Sequence, residues 1–243
     1  MADIYRNLLY QIIFTFDSVN NLFFTKNVSD STLKLEEQEA VHCALVLRKK
    51  VGDIIYVIDG KGNRYKSGID KLSKRDVECT ILSTESQPKS EHITIAIAPT
   101  KNRDRLEWMI EKLVEIGVER IVLMNTANTE RTRSNLDRLE KKAISAVKQS
   151  LRFYIPEVVE LDYTEVLQLE ADDKYIAHCY DEQPKTEQSS NKETKQLILI
   201  GPEGDFTTSE VQQAFDAGFQ GLDLGEFRLR TETAAIVAVT RFQ

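Results

Sequence analysis

Apolar and polar positions follow two different patterns along this chain, and the change falls near residue 90. Between residues 22 and 83 the β-prone residues come in short runs, at 22–25, 54–58, 64–69 and 77–83, with Asp59-Gly60-Lys61-Gly62-Asn63 as punctuation. Such runs broken by Gly and Asn or Asp predict strands joined by tight turns, the pattern of a small β-barrel. One helix, over 36–48, is expected to interrupt it. The stretch TESQPKSE, residues 84–91, is polar, carries a proline and lacks an apolar period, so it is expected to be a linker.

Beyond the linker, strand and helix patterns alternate. A strand at 93–98 precedes a helix in which Leu106, Met109, Ile110, Leu113 and Ile116 recur at helical spacing before Gly117. Then come a strand at 120–124, a helix at 135–148 begun by Ser134, and strands at 175–179, 197–200 and 221–224. This alternation predicts an α/β domain over 92–243, with helices covering a largely parallel sheet. Residues 181–195, DEQPKTEQSSNKETK, hold nothing able to anchor a core and are expected to form a mobile loop. No internal repeat is visible. The segment 234–239 contains no charge, so its helix is apolar all round and is expected to be buried, in a large core or against a second copy of the chain.

The stretch LILIGPEGDFTTSEV, residues 197–211, carries the first chemical signal. Four consecutive apolar residues suit a strand buried on both faces. Gly201-Pro202-Glu203-Gly204 then predicts a tight turn with Pro at its second position. Thr207 and Glu210 stand at capping-box spacing for a helix that ends at Gly218. A second strand-to-helix turn, LDLGEFRLRTETAA, follows at 222–235. Turns of this kind at the carboxyl edge of a parallel sheet are where α/β proteins place ligands. Neither turn has the spacing of a nucleotide-phosphate loop.

Composition bounds the rest. With 243 residues, 41% hydrophobic, the chain can form one large domain or two modest ones. The opening MADIYRNLLYQIIFTF is interrupted by Asp3, Arg6 and Gln11 and lacks a small-residue cleavage site, so it is expected to be folded rather than a signal peptide. No apolar run approaches the roughly 20 residues that span a bilayer, which points to a cytoplasmic protein and no membrane partner. Cys43, Cys79 and Cys179, and His42, His92 and His178, show no metal-ligand spacing, so no metal is expected. The net charge of −7 argues mildly against a nucleic-acid partner. Basic clusters at 48–50, 71–75 and 131–142 nonetheless permit RNA binding.

The pair IGPEGDFTTSE and LGEFRLRTETAA resembles the signature of the SPOUT superfamily, specifically its RsmE family, the 16S ribosomal RNA (uracil(1498)-N(3))-methyltransferases. His42 with Val46-Leu47-Arg48 and Gly52-Asp53, the run 112–118, and Gln149-Ser150 with Arg152 and Pro156 resemble further motifs of that family. The resemblance implies a PUA-like β-barrel RNA-binding domain (1–83) before a SPOUT, trefoil-knotted α/β domain. It implies S-adenosylmethionine as cofactor, 16S rRNA in an assembled small ribosomal subunit as substrate, and a homodimer. Carried over by motif, the cofactor would meet Ile200, Gly201, Pro202, Glu203, Gly204, Leu224, Gly225, Leu229 and Thr231. RNA would meet Arg6, Arg48, Arg131, Arg133 and Arg152.

Methylation at N3 of uracil also needs stabilisation of a developing anion, and Arg228 and Arg230 are the candidate catalytic cations. Glu232 is better read as anchoring an arginine or favouring the helix N-terminus than as a base. Two departures stand out. The family pattern L-G-x-R-[IV]-L-R-T-E-T has Phe227-Arg228 here, which displaces its first arginine by one position, and Asp205 replaces the second glycine of G-P-E-G-G. A SPOUT enzyme for another rRNA or tRNA site, or a non-catalytic RNA-binding protein, are the alternatives.

Overall fold

The structure is a computed structural model, and it describes residues 22–90, 92–130, 133–180, 185 and 194–243. The chain divides into two compact units, Met1–Lys89 with Val147–Ile155, and Ser90–Ala146 with Pro156–Gln243.

The first unit is built on β1 (Leu22–Phe24), β2 (Thr32–Glu36), β3 (Ile54–Ile58), β4 (Asn63–Leu72) and β5 (Asp76–Ser86), in the order β1-β3-β4-β5-β2. Only the β1–β3 pair is parallel. Hydrogen bonds from Lys34 N to Asn27 O and from Ser29 N to Thr32 O tie the chain leaving β1 to β2, which links the two edge strands. Phe23, Leu35, Ile55, Val57 and Val77 fill the interior with no exposure.

The sequence reading missed β2. Its alternation, TLKLE, turns Leu33 and Leu35 inward and leaves Lys34 to pair with Asp76 at 3.2 Å, but five residues beside a run of acids look like a helix start. The expected helix at 36–48 is shorter and divided, with α1 (Glu37–Val41) passing into a π-helical turn (His42–Val46) that ends where Arg48 takes φ 52°.

The expected linker begins too early, because β5 continues to Ser86. Arg64 pairs with Glu85 at 2.5 Å and Ser86 donates to Asn63 Oδ1 at 2.7 Å, so the polar residues TES face outward from a paired strand. Residues 147–155 also belong to this unit. Gly62, at φ 104°, donates to Phe153 O, and a Cβ there would lie 2.3 Å from the Tyr154 hydroxyl. The glycines expected to punctuate a hairpin therefore also admit a distant segment.

The second unit contains β6 (Ile93–Ile97), α2 (Arg103–Ile116), β7 (Arg120–Asn125), α3 (Leu136–Ser150, its last turn grouping with the first unit), β8 (Glu157–Asp162), α4 (Tyr163–Leu167), β9 (Asp173–Ala177), β10 (Gln196–Ile200), α5 (Thr208–Asp216), β11 (Gln220–Leu222) and α6 (Thr231–Arg241). The sheet runs β11-β9-β10-β6-β7-β8 and is parallel throughout. β10 lies between β9 and β6 with all five residues buried, as its continuous apolar run requires.

Asn102 caps α2 by accepting from Asp104 N and Arg105 N, and Gly117 ends it at φ 105°. At the start of α3 it is Asn135, not Ser134, whose side chain accepts from Arg138 N, at 3.0 Å. β8 and α4 went unread because EVVELD is only half-buried at the sheet edge and α4 has five residues. Helix α6 packs on α2, β6 and β10. Within one chain Thr231, Glu232, Ala235, Ala238 and Val239 are buried, while Ile236 and Val237 are half-exposed.

Candidate functional site

The carboxyl ends of β9, β10 and β11 meet at one cavity of about 640 Å³. It is lined by 177–179, 200–203, 205, 222–231, Lys185 and Ala234. Each lip has a local cause. After β10, Asp205 N donates to Pro202 O at 2.9 Å, so the tight turn spans 202–205, one residue later than the sequence suggested. Gly201 is instead buried against Phe206, where a Cβ would sit 3.0 Å from the ring, and its carbonyl accepts from Thr231 Oγ1 at 3.1 Å.

Asp205 takes φ 64°, the left-handed geometry that glycine adopts most readily. Its carboxylate accepts from Phe206 N at 2.8 Å and from Cys179 N at 2.9 Å, which ties the β10 turn to the loop after β9. Behind the turn the capping box forms as the sequence implied, with Glu210 Oε2 accepting from Thr207 N and Oγ1, and Glu210 N donating back to Thr207 Oγ1. Glu210 Oε1 also accepts from Ala127 N at 2.8 Å, so one buried carboxylate holds both the helix start and the loop after β7.

The third lip follows β11. Asp223 accepts from Gly225 N at 2.7 Å, and Gly225 takes φ 118°. Arg228 Nη2 donates to Glu203 O at 3.1 Å, bracing this loop on the neighbouring turn. The Arg230 carbonyl accepts from Ala234 N at 2.8 Å, while its exposed side chain makes no hydrogen bond or ion pair among the described residues.

The structure thus brings together Ile200, Gly201, Pro202, Glu203, Leu224, Gly225, Arg228, Leu229, Arg230 and Thr231. Gly204 does not line the cavity; it stands against the side chain of Asn128. Glu232 is also outside the lining, and its Oε1 lies 3.8 Å from Arg105 Nε, in keeping with an anchoring role. Of the arginines expected to meet RNA, Arg48 and Arg152 belong to the first unit and Arg133 to the second, while Arg6 and Arg131 lie outside the described residues.

The sequence reading missed Ala177, His178 and Cys179. No motif marks them; the strand order does, because β9 neighbours β10. His178 is 6% exposed and neither ring nitrogen has a hydrogen-bond partner among the described residues. Burial holds its pKa below the usual 6.5, Lys185 pushes the same way and Asp205 opposes. Burial likewise raises the Cys179 thiol, keeping it protonated at neutral pH.

Comparison with known proteins gives this arrangement its family. The model described as "RNA methyltransferase domain" matches residues 87–243, and that described as "RNA methyltransferase PUA domain" matches 35–82. The chain belongs to the RsmE family. Ribosomal RNA small subunit methyltransferase E of Bacillus subtilis is 27% identical over 226 residues, covering 86% of this chain and 88% of that protein. A probable rRNA-methyltransferase from Porphyromonas gingivalis, known from its crystal structure, is 39% identical with a TM-score of 0.80, covering 90% of this chain and 95% of that one.

The RsmE protein of Neisseria gonorrhoeae, solved bound to S-adenosyl methionine, is 29% identical with the same TM-score and coverage. Both departures from the RsmE pattern have a structural outcome here. Asp205 keeps the left-handed turn, and the displaced Arg228 braces Glu203 while Phe227 stands 79% exposed at the cavity lip.

Proposed function

We propose that this chain transfers a methyl group from S-adenosylmethionine to N3 of a uridine, U1498 or its equivalent, in the 16S rRNA of an assembled small ribosomal subunit. The observation that carries the reading is the cavity at three adjacent strand ends, walled by both glycine turns and bordered by Arg230, whose side chain has no partner among the described residues. Its volume falls within the usual range for a small-molecule site, and Gly201 and Gly225 in its lining bring backbone amides and carbonyls within reach of a ligand. The residues present therefore fit this cofactor. The turn at 201–205 and the loop at 224–229 would hold it, largely through backbone groups. When bound, the cofactor supplies an electrophilic methyl on a sulfonium sulfur.

The chain's own part is to place the uracil edge and stabilise the charge that develops on it. Arg230, free to turn, donates to a uracil carbonyl oxygen as N3 becomes anionic, and Arg228 keeps the loop that carries it in position. The first unit acts as a PUA-like RNA-binding module and the second as the catalytic domain. Arg48, Arg133 and Arg152 contact phosphate, which fixes register without reading sequence. The enzyme works in the cytoplasm as a homodimer that covers Ile236 and Val237 of α6, half-exposed in the single chain.

Mapping the methylated nucleotide by mass spectrometry, after incubating purified protein with small subunits from a strain lacking this activity, tests the reading. An N3-methyluridine at the 1498 position supports it. A methyl at another rRNA or tRNA site, or binding without transfer, refutes it.

A further inference from the structure

Loss of the N3 proton is the step that the arginines do not perform. They stabilise the anion but carry no site for the proton, and the motifs named no base. The lining of the cavity narrows the choice. Asp205 already accepts from two amides. Asp223 accepts from Gly225 N, and Glu203 and Glu226 are exposed to water. Cys179 remains a thiol, and Lys185 is a cation.

One group remains among the described lining residues that is shielded from water, uncharged and unspent. His178 follows the last residue of β9, is 6% exposed, and has two ring nitrogens with no partner. Its ring is held rather than loose: Phe215 meets it edge-on at 5.9 Å between centroids, and Tyr180 stands at 6.1 Å with its own hydroxyl fixed on Phe206 O.

We propose that His178 is the catalytic base that removes the N3 proton of the target uracil. The inference rests on the proposed N3 chemistry. An imidazole nitrogen takes the proton; the N3–H bonding pair stays on nitrogen and becomes the N3–CH3 bond; the S–C pair remains on sulfur, which departs as a neutral thioether. The imidazolium then returns its proton to water as product leaves.

The surroundings suit both halves of this cycle. Burial and Lys185 keep the ring neutral beforehand, and the Asp205 carboxylate favours the cation once it forms. The other charged or titratable groups around it are Tyr180, Cys179 and, facing Cys179, Arg228. A positioned base contributes a factor of about 100 to 10,000.

The test is single-turnover methylation of small subunits at saturating cofactor from pH 5.5 to 9, with the native chain, His178→Gln and His178→Gly. The native rate should be flat above neutrality and fall on the acid side with one proton. His178→Gln should be at least about 100-fold slower at pH 7 and rise log-linearly with pH, as solution hydroxide replaces the base. Free imidazole should restore His178→Gly, a response that a merely structural role would not give.

Calorimetric affinity for S-adenosylmethionine should stay within about threefold, less than the tenfold that 1.4 kcal/mol represents, and circular dichroism should confirm folding. Unchanged rate and profile in His178→Gln overturns the proposal. So does a loss of cofactor affinity as large as the loss of rate, or failure of imidazole to rescue a folded His178→Gly that still binds cofactor. If the native product is not N3-methyluridine, the functional reading fails instead, and product mapping separates that case.

Discussion

Asp205 offers a direct test of how the cavity is built, because its backbone and its side chain pull in opposite directions. At φ 64° the backbone is in a region that costs an ordinary L-residue about 1 kcal/mol and costs glycine almost nothing. The side chain accepts from Phe206 N and Cys179 N. Charge-assisted bonds of this kind contribute about 1.5–3 kcal/mol each when buried. With the residue half-exposed, about 1 kcal/mol each is the better figure.

Asp205→Ala should therefore lose about 2 kcal/mol of hydrogen bonding and keep the backbone strain. Asp205→Gly should lose the same bonds and recover about 1 kcal/mol. The glycine variant should be the more stable by about 1 kcal/mol, or roughly 2–4 °C in melting temperature for a protein of this size. Both should bind S-adenosylmethionine about fivefold more weakly, since freeing the Cys179 amide loosens the loop that carries His178, and 1 kcal/mol is about a factor of five. Thermal melts with and without cofactor, plus calorimetry, read all of this. An alanine variant as stable as the glycine variant would refute the left-handed assignment. Undiminished cofactor affinity in both would refute the link between the two loops.

Four further outcomes follow from the same geometry. Arg230→Ala should lower single-turnover methylation by about 100- to 1000-fold while leaving small-subunit affinity unchanged in filter binding, the size expected for one transition-state donor. Gly201→Val should abolish cofactor binding by calorimetry with the circular dichroism spectrum retained, because its Cβ would start 3.0 Å from the Phe206 ring. If α6 forms the proposed dimer contact, the native chain should be a dimer and Val237→Asp a monomer at micromolar concentration by light scattering, since the substitution places a charge beside Ile236 on the half-exposed part of α6. The unfolded chain takes up the His178 proton at its ordinary pKa of 6.5 and the folded one only lower, so stability should fall as pH drops below about 6.5. His178→Asn should flatten that part of the stability profile.

What could be read from the sequence was what is decided locally. The Thr207–Glu210 capping box, the buried run of β10 and the stop at Gly117 each depend on residues a few positions apart, and each formed as read. Features that failed were set by partners distant in sequence. The polar end of β5 is a strand because Arg64 and Asn63 lie across from it. The turn after β10 moved by one residue because Thr231 and Phe206 fix Gly201. The short β2 and α4 carry too few residues for a period to show.

The site divides along the same line. Two of its lips are glycine turns and advertise themselves, whereas the third is ordinary in sequence and becomes part of the cavity only through strand order. β9 precedes β10 in the chain, yet lies between β10 and β11 in the sheet. The loop at 178–180 therefore sits between the two glycine turns, and Asp205 fastens it there through Cys179 N. A histidine of this kind is legible only once the sheet is known: spacing cannot mark it, because its partners are brought to it by topology. In a parallel sheet, the residues following a strand flanked by two ligand-bearing turns are thus the place to look for chemistry that the motifs do not supply.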